Sequence, residues 1–78
     1  MSSGTSDGDL TLTPADRRIL AYLAVSGADY PALIASNTGL HVPLVERRCL
    51  VLEAAGLLEP VSGEVIYRLT AYGRSVAR

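Results

Sequence analysis

At 78 residues the chain is long enough for one small domain, and its net charge of −1 excludes an interface that works by bulk positive charge. One cysteine and one histidine exclude a disulfide framework and leave too few ligands for a metal site. No apolar run approaches the ~20 residues of a membrane span, so a soluble, cytoplasmic protein with no membrane partner is expected.

The opening "MSSGTSDGD", residues 1–9, has no apolar residue after Met1 and too little to bury to offset the entropy of ordering. It is expected to be a disordered tail, and it lacks the basic and apolar regions of a signal peptide. The domain is expected over residues 10–78. Small domains bury a modest fraction of their surface, and the lone Cys49 offers no cross-link, so pairing with a second copy is expected.

"TPADRRILAYLAVSG" predicts the first helix. Thr13 can cap it, Pro14 suits its first position, and Asp16 sits where a capping box places an acid. Ile19, Leu20 and Leu23, with Tyr22 beside them, form the apolar stripe, while Arg17, Ala21 and Ala24 face the other way; Gly27 ends the helix. "DYPALIASNTGL" predicts a shorter helix over 31–37, with Leu33, Ile34 and Ala35 on its buried side and Gly39 as its stop. A third helix is expected over about 43–55. At about 100° per residue, Val45, Cys49, Leu52 and Gly56 share its core face, with Pro43, Arg47, Leu50, Val51 and Ala54 opposite and Arg48 at the border. "LLEPV" and "EVIYRL" then read as two strands around the turn "SG", and Thr70 can cap a last helix, "AYGRSVAR". The fold class expected is mainly α with a small β-hairpin (α+β), in the order helix, helix, helix, hairpin, helix.

That order, with "LIASNTGL" at Leu33–Leu40, "VERRCLVLEAAGLLEPV" at Val45–Val61 and "YRLTAYGRSV" at Tyr67–Val76, resembles the winged helix-turn-helix regulators. The resemblance is to small archaeal phage-repressor-like proteins and to the MarR-like pattern. It implies a transcriptional regulator whose third helix enters the major groove while the wing touches backbone or minor groove.

Arg47 is the foremost candidate contact: it points away from the core stripe and, by the resemblance, holds a position that meets DNA. An arginine there can bind guanine bidentately or clamp a phosphate; the alternative is a solvated side chain paired with Glu46 or Glu53. Arg48 is equally able to pair locally or to reach a phosphate. For Arg17 and Arg18 a solvated role is favoured. His41, Pro43, Leu44 and Glu46 surround the start of the third helix, whose free N–H groups suit a phosphate. Asn37 and Thr38 in the turn can serve the backbone locally or touch a phosphate, and Arg68 is the wing's basic residue. Leu50, Val51 and Ile66 are a possible interface, although Leu50 and Val51 could also meet thymine methyl groups. The wing tip carries Glu64 where a cation would help. Cys49 reads as a small buried apolar residue.

Nothing supports catalysis or a cofactor: there is no nucleophile–base set, metal-ligand spacing or phosphate-binding glycine loop. No small-molecule effector is evident. The expected function is a sequence-specific, dimeric repressor of double-stranded DNA type, in the cytoplasm. The alternative is a winged helix that docks proteins through Leu50, Val51 and Ile66 without binding DNA.

Overall fold

The first helix, α1 (Pro14–Ser26), begins where the capping chemistry places it. In this computed structural model, which describes residues 11–61 and 63–77, Thr13 Oγ1 accepts the Asp16 N–H at 3.0 Å and Asp16 Oδ2 accepts the Thr13 N–H at 2.9 Å. The tail expected over residues 1–9, with Ser62 of the expected wing turn and Arg78, lies outside the described residues. Gly27, at φ 91°, ends α1 by donating its N–H to Leu23 O.

A two-residue strand follows, β1 (Ala28–Asp29), and then α2 (Pro31–Thr38). Gly39 takes the left-handed conformation at φ 75°, letting Leu40 N–H reach back to Ala35 O at 3.1 Å. This is a Schellman-type stop. It turns the chain directly into α3 (Val42–Ala54). The same device ends α3: Gly56 is at φ 83°, and Leu57 N–H donates to Leu52 O at 2.9 Å. Strands β2 (Leu58–Pro60) and β3 (Tyr67–Leu69) form the wing, and α4 (Ala71–Ala77) closes the described chain.

The sheet is antiparallel with the order β1-β3-β2. Ala28 faces Arg68 and Asp29 faces Tyr67 on one side of β3, while Leu58, Glu59 and Pro60 face Leu69, Arg68 and Tyr67 on the other. The expected hairpin is therefore one part of a three-stranded sheet. Its third strand was invisible because two residues carry no alternation. Two further expectations are corrected. Leu33 is 48% exposed, and of that trio Ile34 and Ala35 alone join the core. Gly56 lies past the end of α3 as its left-handed stop, not on its core face.

The core joins Ile19, Leu20 and Leu23 of α1, Ile34 and Ala35 of α2, Val45, Cys49 and Leu52 of α3, and Leu57, Leu58 and Leu69 at the base of the wing. Each large side chain buried here contributes on the order of 2 kcal/mol. Burial pushes the Cys49 thiol up to about 11, with Asp16 and Glu53 adding to the effect. Cys49 should therefore resist maleimide at neutral pH in the native protein and react only after denaturant is added; labelling at equal rates in both conditions would show that the core opens readily.

One hydroxyl and one glycine fix the start of the last helix, and Val76 and Ala77 pack its end on the core. Thr70 Oγ1 accepts the Gly73 N–H at 2.9 Å and donates to Gly56 O at 2.6 Å, while the Thr70 N–H donates to Leu57 O at 3.0 Å. Gly73 is buried against the Leu57 carbonyl. These bonds fasten α4 to the stretch between α3 and β2.

Candidate nucleic-acid interface

The two helices that define the candidate interface are α2 and α3, set at a fixed angle by the left-handed Gly39. The exposed His41, extended at φ −78° and ψ 141°, precedes α3, and its side chain makes no capping bond. Val45 N–H closes the first turn onto His41 O at 3.0 Å. The N–H groups of Val42 and Leu44 come before that closure, and Pro43 has none to offer. Val45, Cys49 and Leu52 turn inward. Arg47 projects on the opposite side, exposed, with Pro43 and Ala54 along the same line. Among the described residues it makes no ion pair. Glu46 is exposed on one flank, and Leu44 is half-buried on the other.

Arg48 is differently placed. Its Nε and Nη2 meet Asp16 Oδ1 and Oδ2, both at 2.8 Å, in a bidentate pair. The Asp16 side chain is fully buried and that of Arg48 is 21% exposed. Burial alone pushes the Asp16 carboxyl up; the Arg48 guanidinium and the Thr13 N–H outweigh it and hold the carboxyl below its usual value. The cap residue of α1 is thus also the anchor of α3. Helical spacing carried a signal for this: Asp16 stands at i, with Ile19, Leu20 and Leu23 at i+3, i+4 and i+7, so it falls on the buried face and needs a cation.

Asn37 and Thr38 are engaged within the fold. Asn37 Nδ2 donates to Leu33 O at 2.9 Å and to Tyr22 Oη at 3.1 Å. Tyr22 Oη in turn donates to Asp29 Oδ2 at 2.5 Å, and this bond, with burial behind it, raises the Tyr22 phenol above its ordinary value. Thr38 Oγ1 donates to Ile34 O at 2.6 Å. Arg18 Nη1 donates to Thr38 O at 3.4 Å, at the negative end of the α2 dipole.

On the wing, Arg68 Nε meets Glu59 Oε2 at 2.8 Å, across the β2–β3 pair in which these residues face each other. Tyr30 Oη donates to Glu64 Oε1 at 3.2 Å, tying the wing tip to the start of α2. Of the three possible interface residues Leu50 is 61% exposed, while Val51 and Ile66 are half-buried; Val65, which is not among them, is 70% exposed. Leu50 and Val65 line an open groove of about 310 Å³ between α3 and the wing, with Pro31, Glu46 and Tyr67. Among the described residues no group of three or more His, Cys, Asp or Glu side chains could hold a metal ion, and no helix is long and apolar enough to cross a membrane.

Residues 8–75 match the model of a family described as an uncharacterized protein conserved in archaea (DUF2250). The chain belongs to this family. No curated protein matches it. Among solved structures it is similar to NadR in complex with 4-hydroxyphenylacetate, with a TM-score of 0.76 and 28% identity over 82% of this chain and 48% of that one. It is also similar to a point mutant of Lactococcus lactis ZitR, with a TM-score of 0.73 and 23% identity over 95% of this chain and 53% of that one. These neighbours are winged-helix transcription regulators, and the DUF2250 chain has the winged helix-turn-helix fold. It spans about half the length of each.

Proposed function

We propose that this chain is a sequence-specific DNA-binding transcription regulator, acting in the cytoplasm as a homodimeric repressor and reading the major groove with α3. The observation that carries the reading is Arg47: an exposed arginine on the outward line of the second helix of a helix-turn-helix, with no ion pair among the described residues. In this role it contacts guanine or a phosphate. Glu46 flanks it and can accept from cytosine; Leu44 can touch thymine methyls; His41 and Pro43 bring the start of the helix to the backbone.

Arg48 and Arg68 contribute less directly, since Asp16 and Glu59 already hold them. Asn37 and Thr38 likewise spend their donors inside the fold, leaving oxygen acceptors that do not suit phosphate. One copy thus brings few cations to DNA. A second copy on a two-fold axis doubles them and matches a palindromic site. Occupancy of such a site is sufficient for repression. No catalytic step is needed.

The test is a salt titration of binding to mixed genomic DNA fragments, with wild type and Arg47→Ala side by side. Wild type should bind more weakly as salt rises, and Arg47→Ala should lose about 1–3 kcal/mol on its preferred fragments while discriminating less among them. No binding by wild type even at low salt, or unchanged selectivity in Arg47→Ala, would sink the reading.

A further inference from the structure

We infer that the groove between α3 and the wing is a docking site for a basic amphipathic segment of another protein, with an apolar side chain seated between Leu50 and Val65 and flanking lysine or arginine facing Glu46 and Glu64. The groove's size, about 310 Å³, is at the small end of the range for built ligand sites and fits one or two large side chains. Its walls are apolar and its rim is acidic. Glu46 lines it directly, and Glu53 lies near enough to Tyr67, another wall, to add to the rise that burial gives its phenol. Glu64, the chain neighbour of Val65, accepts from the hydroxyl of Tyr30, the chain neighbour of Pro31, so it stands beside two of the walls.

None of these three carboxylates has an ion pair among the described residues, and no arginine lines the groove. Arg47 leaves α3 about 100° around from Glu46, and Arg68 points from the other face of β3 toward Glu59. An exposed leucine and valine with Glu46 among the walls and Glu53 and Glu64 beside them disfavour a phosphate backbone and favour a cationic partner. The charges also argue against the chain's own N-terminal segment, which carries Asp7 and Asp9. Leu50 and Glu46 lie on α3 itself, so an occupied groove obstructs the helix that DNA would need. This obstruction, unlike the docking, rests on the proposed DNA reading.

A random-sequence peptide display library, selected on the full chain, is the probe. Enriched peptides should carry an apolar residue flanked by lysine or arginine. A synthetic peptide of that kind should bind at least tenfold more weakly to Glu64→Arg and to Val65→Ser, both at exposed positions, with circular dichroism confirming that each variant is folded. Enrichment of nothing, or of acidic peptides, or binding indifferent to both substitutions, would overturn the proposal. So would sedimentation showing a dimer that Val65→Ser dissociates, because a second copy would then cover the groove. Where wild type binds DNA, the peptide should displace it, and simultaneous binding would refute the obstruction. Where the peptide binds in the groove and wild type binds no DNA at all, docking stands and the DNA reading fails.

Discussion

Replacing Gly73 with alanine should lower the melting temperature by about 12 °C or more. A Cβ at this position would stand 2.0 Å from Leu57 O, 3.0 Å from Leu57 C and 3.3 Å from Leu69 Cδ2. The first two are backbone atoms and cannot swing aside as a side chain would. Leu57 O also accepts the Thr70 N–H, so displacing it disturbs the bond that leads into α4. Overpacking of this kind costs about 3 kcal/mol. In a domain this small, each kcal/mol moves the midpoint by roughly 4–8 °C. Against a total stability on the order of 5 kcal/mol, the loss leaves little. Thermal unfolding followed by circular dichroism checks it. A drop under about 5 °C, against the 4–8 °C expected per kcal/mol, would mean that α4 can lift from Leu57 without harm to the rest.

The second large effect is expected at Arg48. Arg48→Met should destabilise by about 3 kcal/mol, because it leaves a fully buried carboxylate with only the Thr13 N–H for company. Asp16→Asn should cost less, since the Arg48 side chain has part of its surface in water already. The double variant should recover part of the loss, as buried pairs replaced by apolar groups often do. Denaturant titrations of the four proteins form a double-mutant cycle; simple additivity would mean that the pair contributes no coupling.

The same pair sets a pH dependence. The folded-state carboxyl of Asp16 is held below the ordinary aspartate value of 3.8. The unfolded chain therefore binds this proton first as pH falls. The stability it contributes is fully present above the unfolded value and is lost progressively as pH drops from there through the folded one. The wild-type advantage over Asp16→Asn should be constant near neutrality and shrink below about pH 4. An advantage that persists undiminished at pH 2 would contradict the pairing.

Most of the fold was legible because it rests on local chemistry. Thr13, Pro14 and Asp16 announce α1, Gly39 marks the stop of α2, and the Tyr67–Gly73 stretch resembles the approach to the last helix of its kind. What escaped depended on partners far along the chain. The strand β1 exists because β3 offers it hydrogen bonds, and nothing in Ala28 and Asp29 themselves demands extension. At the candidate interface, Arg47 could be oriented from helical spacing alone. The separation of Arg48 from its neighbour could not, since its carboxylate lies 32 residues earlier. Asp16 fell on a buried stripe, but its capping role was a sufficient local explanation and concealed the second one. On the wing the sequence did not single out Val65: it projects from the loop before β3, where strand alternation does not apply, while Ile66 beside it is half-buried.

The sheet has a further consequence, which concerns crowding. Its two margins are β1, only two residues long, and β2, which ends in Pro60. The first is too short to template an incoming strand, and the second lacks an N–H at its last position. Among the described residues, neighbouring molecules therefore find no long open sheet edge on which to add a strand. Contacts between folded copies at this sheet should run through side chains rather than through added strands.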